Sequence, residues 1–204
     1  MANQGGILVL LHGYQDDPGA LESRLSPLLE PGRWVVVSPR APTMMPAGPV
    51  WFTTDEQGAD EGAVVVALGE LDELIDRTSA EHGLPRSAVV VGGSSQGGAM
   101  ALALGAQTAG ATGTLGGLFC VSGWLPHFDT VTYDLAGLGA ASTPCLIVHG
   151  DDDDVVIVQQ GRSGARLLER HGVPVTYVEV TGGGHHLGQA ADAPVVAWLS
   201  QLSL

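Results

Sequence analysis

Short, mainly apolar runs alternate along this chain with longer stretches in which apolar residues recur at helical spacing. The first kind predicts buried strands and the second predicts amphipathic helices. The predicted strands are Ile7–Leu11, Trp34–Val37, Val89–Val91, Leu115–Val121, Cys145–Val148 and Val175–Val180, and the predicted helices cover residues 20–29, 60–82, 99–106, 157–171 and 194–199. Strands that alternate with helices predict the α/β class, with a mainly parallel central sheet and helices on both faces.

Helix ends and loops are also visible in the pattern. The predicted helices at 60–82 and 157–171 both end at a His-Gly pair, His82–Gly83 and His171–Gly172. Glycine adopts the left-handed conformation that closes a helix, and histidine suits the negative helix end. Residues 122–143 read as a mixed loop with one short helix, and Arg40–Val50 reads as a loop containing Pro and Met.

Composition narrows the class of protein. With 204 residues, of which 45% are apolar, the chain is expected to form one domain over residues 1–204. The net charge is −14, and all eight basic residues are arginines. The electrostatic field of this net negative charge repels phosphate backbones and anionic lipid surfaces, so we expect no nucleic acid partner. The absence of lysine from the sequence also removes Schiff-base chemistry.

Cysteine usage and targeting signals bear on the compartment. Cys120 and Cys145 both lie in apolar, strand-like runs, which predicts buried free thiols rather than a disulfide framework. Met1–Gly6 has no basic segment, and the sequence shows no secretory signal and no membrane span. We therefore expect a cytoplasmic protein. The sequence does not determine the oligomeric state, and a homodimer stays open.

The most informative stretch is Val89–Met100, which reads as a strand, a very tight turn and a helix. Within it, the spacing Gly93-x-Ser95-x-Gly97 is the pattern of a nucleophile elbow. The serine of an elbow sits on a strained backbone that lifts its oxygen clear of the sheet, and a Cβ at either glycine would clash. Ser94 does not fit this register, because it would need a glycine at position 96, which is glutamine.

Glycine-rich turns between a strand and a helix also cradle phosphates. A P-loop needs a lysine that this turn lacks, and the spacing of its glycines does not fit a dinucleotide fingerprint. By itself, the motif does not distinguish between a nucleophilic Ser95 and a turn with a purely structural role.

Polar residues that follow the other predicted strands bear on this choice. Ligands of such sheets bind at the carboxyl ends of the strands. Ser95, the acidic run Asp151–Asp154 and the pair His185–His186 each follow a strand. Serine needs a base, and the base needs a carboxylate to hold its tautomer. Ser, Asp and His in this order predict a hydrolytic triad of the α/β-hydrolase type.

Several short motifs together resemble the phospholipase/carboxylesterase family of α/β-hydrolases, which includes acyl-protein thioesterases and bacterial carboxylesterases. They lie along nearly the whole chain: Leu11–Gly13, Ser38–Pro42, Trp51–Phe52, Gly93–Gly98, Ser122–Gly123 with Leu125–Pro126, His149–Val156 and Gly182–His185. The resemblance implies an α/β-hydrolase fold without a large cap domain. It also implies a serine hydrolase of small-molecule esters or thioesters that needs neither a cofactor nor a metal.

The resemblance also selects among neighbouring candidates. Its spacing places the triad acid at Asp153, which leaves the other three aspartates as a solvated acidic loop. A calcium site there lacks the glycine and distal glutamate of an EF-hand loop. The pattern Gly-x-Gly-His selects His185 over His186, although a slip of one residue stays open. His12 and His149 precede glycines at strand ends and are predicted to brace loops.

Two backbone N–H groups are candidates for the oxyanion hole. Gln96 directly follows Ser95 at the start of a predicted helix, whose dipole favours negative charge. The resemblance implies that the second N–H belongs to Tyr14, where the family usually carries a smaller aliphatic residue.

The substrate is less well defined by the sequence. Met44, Trp51, Phe52 and Trp124 lie in loops near strand ends and are candidates to line an acyl groove, or alternatively to pack beneath the loops. We expect neutral esters with short to medium acyl chains. Acyl-protein thioesterase or lysophospholipase activity is the alternative at the same site. A non-catalytic binding module is the alternative of another class, although such proteins typically lose a triad member.

Overall fold

The computed structural model describes residues 5–108 and 113–204. Residues 1–4, part of the N-terminal segment predicted to lack a secretory signal, lie outside the described residues. The strands are β1 (Gly6–Leu11), β2 (Trp34–Val37), β3 (Thr43–Met45), β4 (Gly48–Val50), β5 (Thr54–Asp55), β6 (Gly58–Ala59), β7 (Val89–Ser94), β8 (Gly117–Val121), β9 (Cys145–Gly150) and β10 (Val175–Val180). The helices are α1 (Ala20–Leu25), α2 (Glu61–His82), α3 (Gln96–Thr108), α4 (Leu135–Ala140), α5 (Val158–Arg170) and α6 (Gln189–Gln201), with 3-10 turns at Ser26–Leu28 and Arg86–Ala88.

The predicted parallel sheet is confirmed. Six strands pair in the order β10-β9-β8-β7-β1-β2, and every neighbouring pair is parallel. The inner strands β1, β8 and β9 are buried along their whole length, whereas the edge strands β2 and β10 are only partly buried. This explains why β1 and β9 read as continuous apolar runs, while β10 carries Thr176 and Glu179.

Helices cover both faces of the sheet, as predicted. On one face, Ile7, Val9 and Leu11 of β1 pack in a core that also contains residues of α2, α3 and α5. On the other face, Leu8 and Leu10 pack with residues of α1 and α6. Since successive side chains of a strand point to opposite faces, β1 contributes to both cores and anchors the centre of the fold.

Some boundaries differ from the predictions. The segment expected to be a loop at Arg40–Val50 contains the antiparallel hairpin β3–β4, and a second small hairpin, β5–β6, follows it. Strands of two or three residues are too short to show an alternating pattern in the sequence. The helix predicted over residues 20–29 ends at Leu25, where the 3-10 turn containing Pro27 begins. Proline has no backbone N–H to continue the α-helical pattern.

The predicted helix ends are confirmed. The C-cap of α2 is Gly83, in the left-handed conformation with φ +64°, and its N–H donates to the Ala80 carbonyl. Gly172, just after α5, has φ +81°. A residue with a Cβ would be strained at both positions. At the other end of α2, the Asp60 side chain accepts a hydrogen bond from the Ala63 N–H at 3.1 Å.

Both cysteines are buried and unpaired, as predicted. Burial raises the pKa of the Cys120 thiol to about 12 and raises that of Cys145 as well. Because the thiolate is the reactive form, these residues act as small apolar core residues.

Among the helices formed by residues 5–108 and 113–204, none has the length and apolarity needed to span a bilayer.

Candidate active site

Ser95 occupies the sharp turn between β7 and α3, as the elbow pattern predicts. Its φ is +50°, a conformation that non-glycine residues seldom adopt. A Cβ on Gly93 would lie 2.4 Å from the Leu11 carbonyl oxygen, and a Cβ on Gly97 would lie 2.3 Å from the same atom. The two glycines therefore let α3 and β7 approach β1, and this close crossing holds the Ser95 turn in place.

His185 and Asp153 converge on Ser95 from two other strand ends. The His185 Nε2 atom lies 3.0 Å from Ser95 Oγ, and its Nδ1 atom lies 2.9 Å from Asp153 Oδ2. An ionised carboxylate only accepts hydrogen bonds, so the proton of a neutral His185 sits on Nδ1 and Nε2 accepts from the Ser95 hydroxyl. His186 is a neighbour whose ring centroid is 5.2 Å from that of His185. The structure thus selects His185 as the contact of Ser95.

Asp153 is held by several donors in a buried position. Its Oδ1 atom accepts the N–H groups of Val155 at 2.9 Å and Val156 at 2.8 Å. Burial raises the pKa of this carboxyl, but the hydrogen bonds from His185, Val156 and Val155 outweigh it, so the pKa lies below its ordinary value. Asp153 is therefore ionised at neutral pH, as a partner that orients an imidazole must be.

A second imidazole contacts Asp153 from behind. His149, at the end of β9, is completely buried, and its Nε2 atom lies 2.7 Å from the Val156 carbonyl oxygen. A carbonyl only accepts, so Nε2 carries the proton and donates it. The same Nε2 is 3.3 Å from Asp153 Oδ2. His149 therefore braces the acid loop, the role that its position in the sequence predicted.

His12 also has the predicted bracing role. Its Nδ1 atom donates to the Gly13 carbonyl at 2.7 Å, and its Nε2 atom accepts from the Ala41 N–H at 3.0 Å. One donating and one accepting nitrogen define a neutral ring. Burial lowers the pKa of His12, which favours the same neutral form. His12 thus ties the loop after β1 to the segment before β3.

Ser95 opens into a cleft of about 330 Å³. Its lining consists of Gly13–Asp16, Leu21, Arg24, Ser94, Ser95, Val121, Ser122 and His185–Gly188. Tyr14 is 43% exposed and lies in this lining. Gln96 is the first residue of α3, where a backbone N–H has no acceptor within the helix. The assignment of these two N–H groups to an oxyanion hole stays a prediction.

Two aromatic residues predicted to contact substrate lie elsewhere. Trp51 and Phe52 are 1% and 2% exposed and belong to the core. The Trp51 N–H donates to Gln96 Oε1 at 2.9 Å, and Gln96 Nε2 donates to the Phe52 carbonyl at 2.8 Å. The Trp51 indole donates to the His12 carbonyl at 2.8 Å. The prediction that Trp51 and Phe52 line the cleft is wrong, because both pack beneath the site and fix the start of α3.

Met44 and Trp124 are likewise outside the lining of the cleft. Met44 lies on β3 with 61% of its surface exposed, and Trp124 packs against the core as a partly buried residue. Neither residue lines this cleft, and their contact with substrate stays a prediction. The lining instead includes Asp16, Arg24 and Leu187. Their place could not be read from the sequence, except that Asp16 lies in the polar loop that follows the first strand.

Arg24 reaches the cleft from α1 and is bound on its other side by α6. Its Nη2 atom lies 2.5 Å from Asp192 Oδ1, and its Nε atom lies 3.3 Å from Asp192 Oδ2. It also donates to the Gly188 carbonyl at 3.1 Å. Asp192 is only 3% exposed. This two-point contact neutralises the arginine within a fixed pair.

The acidic loop after β9 is tied to its surroundings by hydrogen bonds. Asp151 Oδ1 accepts the Gly182 N–H at 2.6 Å, and Asp153 faces His185. Across the two described ranges, no group of three or more His, Cys, Asp or Glu side chains is arranged to hold a metal ion.

Comparisons with known proteins identify the family and the fold that this chain resembles. The model of the phospholipase/carboxylesterase family matches residues 2–195. A probable carboxylesterase of Oryza sativa subsp. japonica is 29% identical, over 97% of this chain and 78% of its own. Acyl-protein thioesterase 1 of Gibberella zeae is 30% identical, over 67% of this chain and 61% of its own. The crystal structure of Arabidopsis thaliana SOBER1 superposes with a TM-score of 0.77 at 25% identity, covering 96% of this chain and 98% of that one.

Proposed function

Because the chain belongs to the phospholipase/carboxylesterase family and is a carboxylic ester hydrolase with the α/β-hydrolase fold, we propose that it cleaves esters with short to medium acyl chains through Ser95, His185 and Asp153. The observation that carries this proposal is the 3.0 Å contact between Ser95 Oγ and His185 Nε2. A serine hydroxyl is a weak nucleophile, and an imidazole within hydrogen-bond reach is the base that activates it.

The first half of the reaction forms an acyl-enzyme. As Ser95 Oγ attacks the ester carbonyl, His185 Nε2 takes its proton, and Asp153 stabilises the resulting imidazolium through Nδ1. The backbone N–H groups of Gln96 and Tyr14 donate to the oxyanion. His185 then gives the proton to the leaving alcohol, and the bond between the carbonyl carbon and that alcohol breaks.

In the second half of the reaction, water takes the place of Ser95 as the nucleophile and hydrolyses the acyl-enzyme. His185 Nε2 accepts a proton from the water as the water attacks the acyl carbon. The bond between that carbon and Ser95 Oγ then breaks, His185 gives its proton to Oγ, and the carboxylic acid leaves. Asp153 stays ionised throughout, in keeping with the lowered pKa of its carboxyl. No step in this scheme requires a metal or an organic cofactor.

The size of the cleft supports the preference for modest acyl chains. Its volume of about 330 Å³ is at the lower end of the range for small-molecule sites. Its lining mixes apolar residues such as Leu21, Val121 and Leu187 with polar ones. A short acyl chain has apolar contacts here, whereas a long chain would extend into solvent.

Thioester hydrolysis is the second candidate activity, because a relative of 30% identity is named acyl-protein thioesterase 1. The same Ser95 attack applies to a thioester, with a thiol as the leaving group. A comparison of kcat/KM for p-nitrophenyl butyrate, for butyryl-CoA and for a palmitoylated peptide separates the two. A clear preference for the palmitoylated peptide would replace the ester proposal with the thioesterase one.

Kinetics of a Ser95→Ala variant test the proposed nucleophile. Alanine removes the oxygen that attacks, so we expect kcat for p-nitrophenyl butyrate to fall on the order of 10⁶-fold. The matched variant Ser94→Ala changes the neighbouring cleft serine and should retain far more activity than Ser95→Ala. Equal losses in the two variants, or an undiminished rate in Ser95→Ala, would contradict the proposal.

A further inference from the structure

The charged groups around the cleft do not balance. Among its lining residues, Asp16 and Arg24 carry the permanent charges outside the Ser95, His185 and Asp153 line. Arg24 is compensated by buried Asp192 at 2.5 Å. For Asp16, by contrast, no ion pair is formed with any residue in the described parts of the chain. The cleft thus keeps one uncompensated carboxylate.

The Asp16 carboxylate is oriented by its own loop. Its Oδ1 atom accepts the Asp17 N–H at 2.9 Å, which leaves Oδ2 without that partner. A Cβ built on Gly13 would lie 3.7 Å from Asp16 Oδ2 and 3.7 Å from Ser94 Oγ. Asp16 Oδ2 and Ser94 Oγ therefore lie on either side of the same position beside Gly13, and all three residues line the cleft.

An aromatic ring stands on the same loop. Tyr14 is 43% exposed and lines the cleft two residues before Asp16. A carboxylate and an exposed aromatic ring that line one cleft can together bind an ammonium group, because both the charge and the ring quadrupole attract a cation. The net charge of −14 acts in the same direction at longer range, since it raises the local concentration of cations.

We propose that the cleft prefers esters carrying a cationic ammonium group over neutral esters of the same shape, with Asp16 and Tyr14 as the residues that select them. This inference rests on the proposed esterase function and narrows its substrate class. Asp16 acts as a specificity residue and takes no part in proton transfer. The ammonium group belongs either to the alcohol or to the acyl part of the ester.

Matched pairs of esters test the preference and distinguish the two positions of the charge. Butyrylcholine is compared with 3,3-dimethylbutyl butyrate, which replaces nitrogen by carbon in the alcohol. The p-nitrophenyl esters of 4-(trimethylammonio)butanoic acid and 5,5-dimethylhexanoic acid make the same comparison in the acyl part. For each pair, the ratio of kcat/KM values is measured in the parent and in Asp16→Asn, so that intrinsic reactivity cancels between the two proteins.

Asparagine preserves the acceptor for the Asp17 N–H and removes only the charge. We expect Asp16→Asn to lower the cationic-to-neutral ratio by about three- to tenfold in at least one pair, with the effect reduced in 0.5 M salt because of screening. Tyr14→Leu keeps the backbone N–H and should lower the same ratio by a smaller factor. Glu56→Gln, an exposed site outside the cleft lining, removes the same charge and should leave the ratio unchanged.

The outcomes separate this inference from the function on which it rests. A ratio that is the same in the parent and Asp16→Asn for both pairs, or that Glu56→Gln lowers as much, overturns the inference. If the neutral esters are still cleaved in a Ser95-dependent way, the proposed function survives that result. Loss of the Ser95 dependence itself would remove both.

Discussion

We call the turn formed by Gly93, Ser95 and Gly97 the floor of the cleft; Ser95 lines the cleft, and the two glycines support it from below. This floor is held by backbone contacts, whereas the rim, formed by Tyr14 and Asp16, consists of side chains on a loop. In the floor, a Cβ at Gly97 would lie 2.3 Å from a carbonyl of β1, so a larger residue has no room. In the rim, the Tyr14 side chain is 43% exposed, so a side chain of another size could take its place without a clash. The floor therefore constrains sequence tightly, and the rim constrains it weakly.

The floor and the rim of the cleft are also expected to differ in their effect on the reaction. In the proposed reaction, the residues that hold Ser95, His185 and Asp153 in position determine whether an ester is cleaved at all. In the same proposal, the residues of the rim contact the rest of the substrate and determine which ester is cleaved. Variants of the floor and its supports should therefore change turnover or folding, while variants of the rim should change specificity by much smaller factors.

The largest effect among the supports of the floor is expected for Asp153→Asn. An amide N–H in place of a carboxylate oxygen would face His185 Nδ1 and favour the other tautomer, so that Nε2 no longer accepts the Ser95 proton. We expect kcat for p-nitrophenyl butyrate to fall about 10⁴-fold with little change in KM. Circular dichroism should report an unchanged fold. A loss below tenfold would mean that Asp153 does not orient the base.

Substitution of Gly97 in the floor should lower the stability of the fold. Gly97→Ala places a Cβ against the backbone oxygens of Leu11 and His12, neither of which can move without disturbing β1. We expect the free energy of unfolding to fall by about 3 kcal/mol or more, measured by urea denaturation.

Gly69→Ala is the matched control for that measurement. Gly69 lies inside α2, is exposed, and a Cβ there would meet nothing within 4 Å. We expect this variant to be more stable by about 0.5–1 kcal/mol, because alanine favours helix. If both variants lose the same stability, the close crossing at Gly97 is not what restricts that position.

The imidazole behind Asp153 should have an intermediate effect. His149→Leu removes the Nε2 donor that lies 3.3 Å from Asp153 Oδ2. We expect kcat to fall about 10-fold while KM changes little, because the buried Val156 carbonyl loses its donor and the loop that carries Asp153 is held less firmly. His149→Gln can place a donor near the same point and should recover part of the loss. Equal kcat values for the two variants at equal stability would show that the donor itself is unimportant.

The smallest effect is expected for Met44→Ala. This side chain was a candidate substrate contact, but it is 61% exposed and lies outside the lining of the cleft. We expect kcat/KM for p-nitrophenyl butyrate to change by less than about twofold, in line with the small effects of surface substitutions. A tenfold loss would place Met44 in contact with the substrate after all and would extend the rim to β3.

The two regions also differ in what the sequence alone predicts. The floor was readable because strand, turn and helix are local in the chain, and because Gly93 and Gly97 have a steric reason for being glycine. Ser95, Asp153 and His185 could be placed together because parallel strands bring their carboxyl ends to one edge of the sheet. The choice between His185 and His186 depended on a resemblance, and in the structure His185 is the one that contacts Ser95, at 3.0 Å.

Which side chains line the rest of the cleft could not be predicted from the sequence. Trp51 and Phe52 follow a loop near the site, but they pack in the core, and their backbone groups bind the Gln96 side chain, 45 and 44 residues away. Arg24 enters the cleft because Asp192, 168 residues away, binds it from α6. Contacts between such distant side chains leave no pattern of spacing along the chain.

Labelling with a fluorophosphonate tests whether Ser95 is an activated nucleophile, because this reagent reacts with a serine only where a base activates it and the oxyanion is stabilised. We expect one adduct per chain, found on Ser95 by peptide mass spectrometry, and no adduct in the His185→Ala variant. An adduct on another serine, labelling that persists without the imidazole, or no labelling of the folded protein would contradict this expectation.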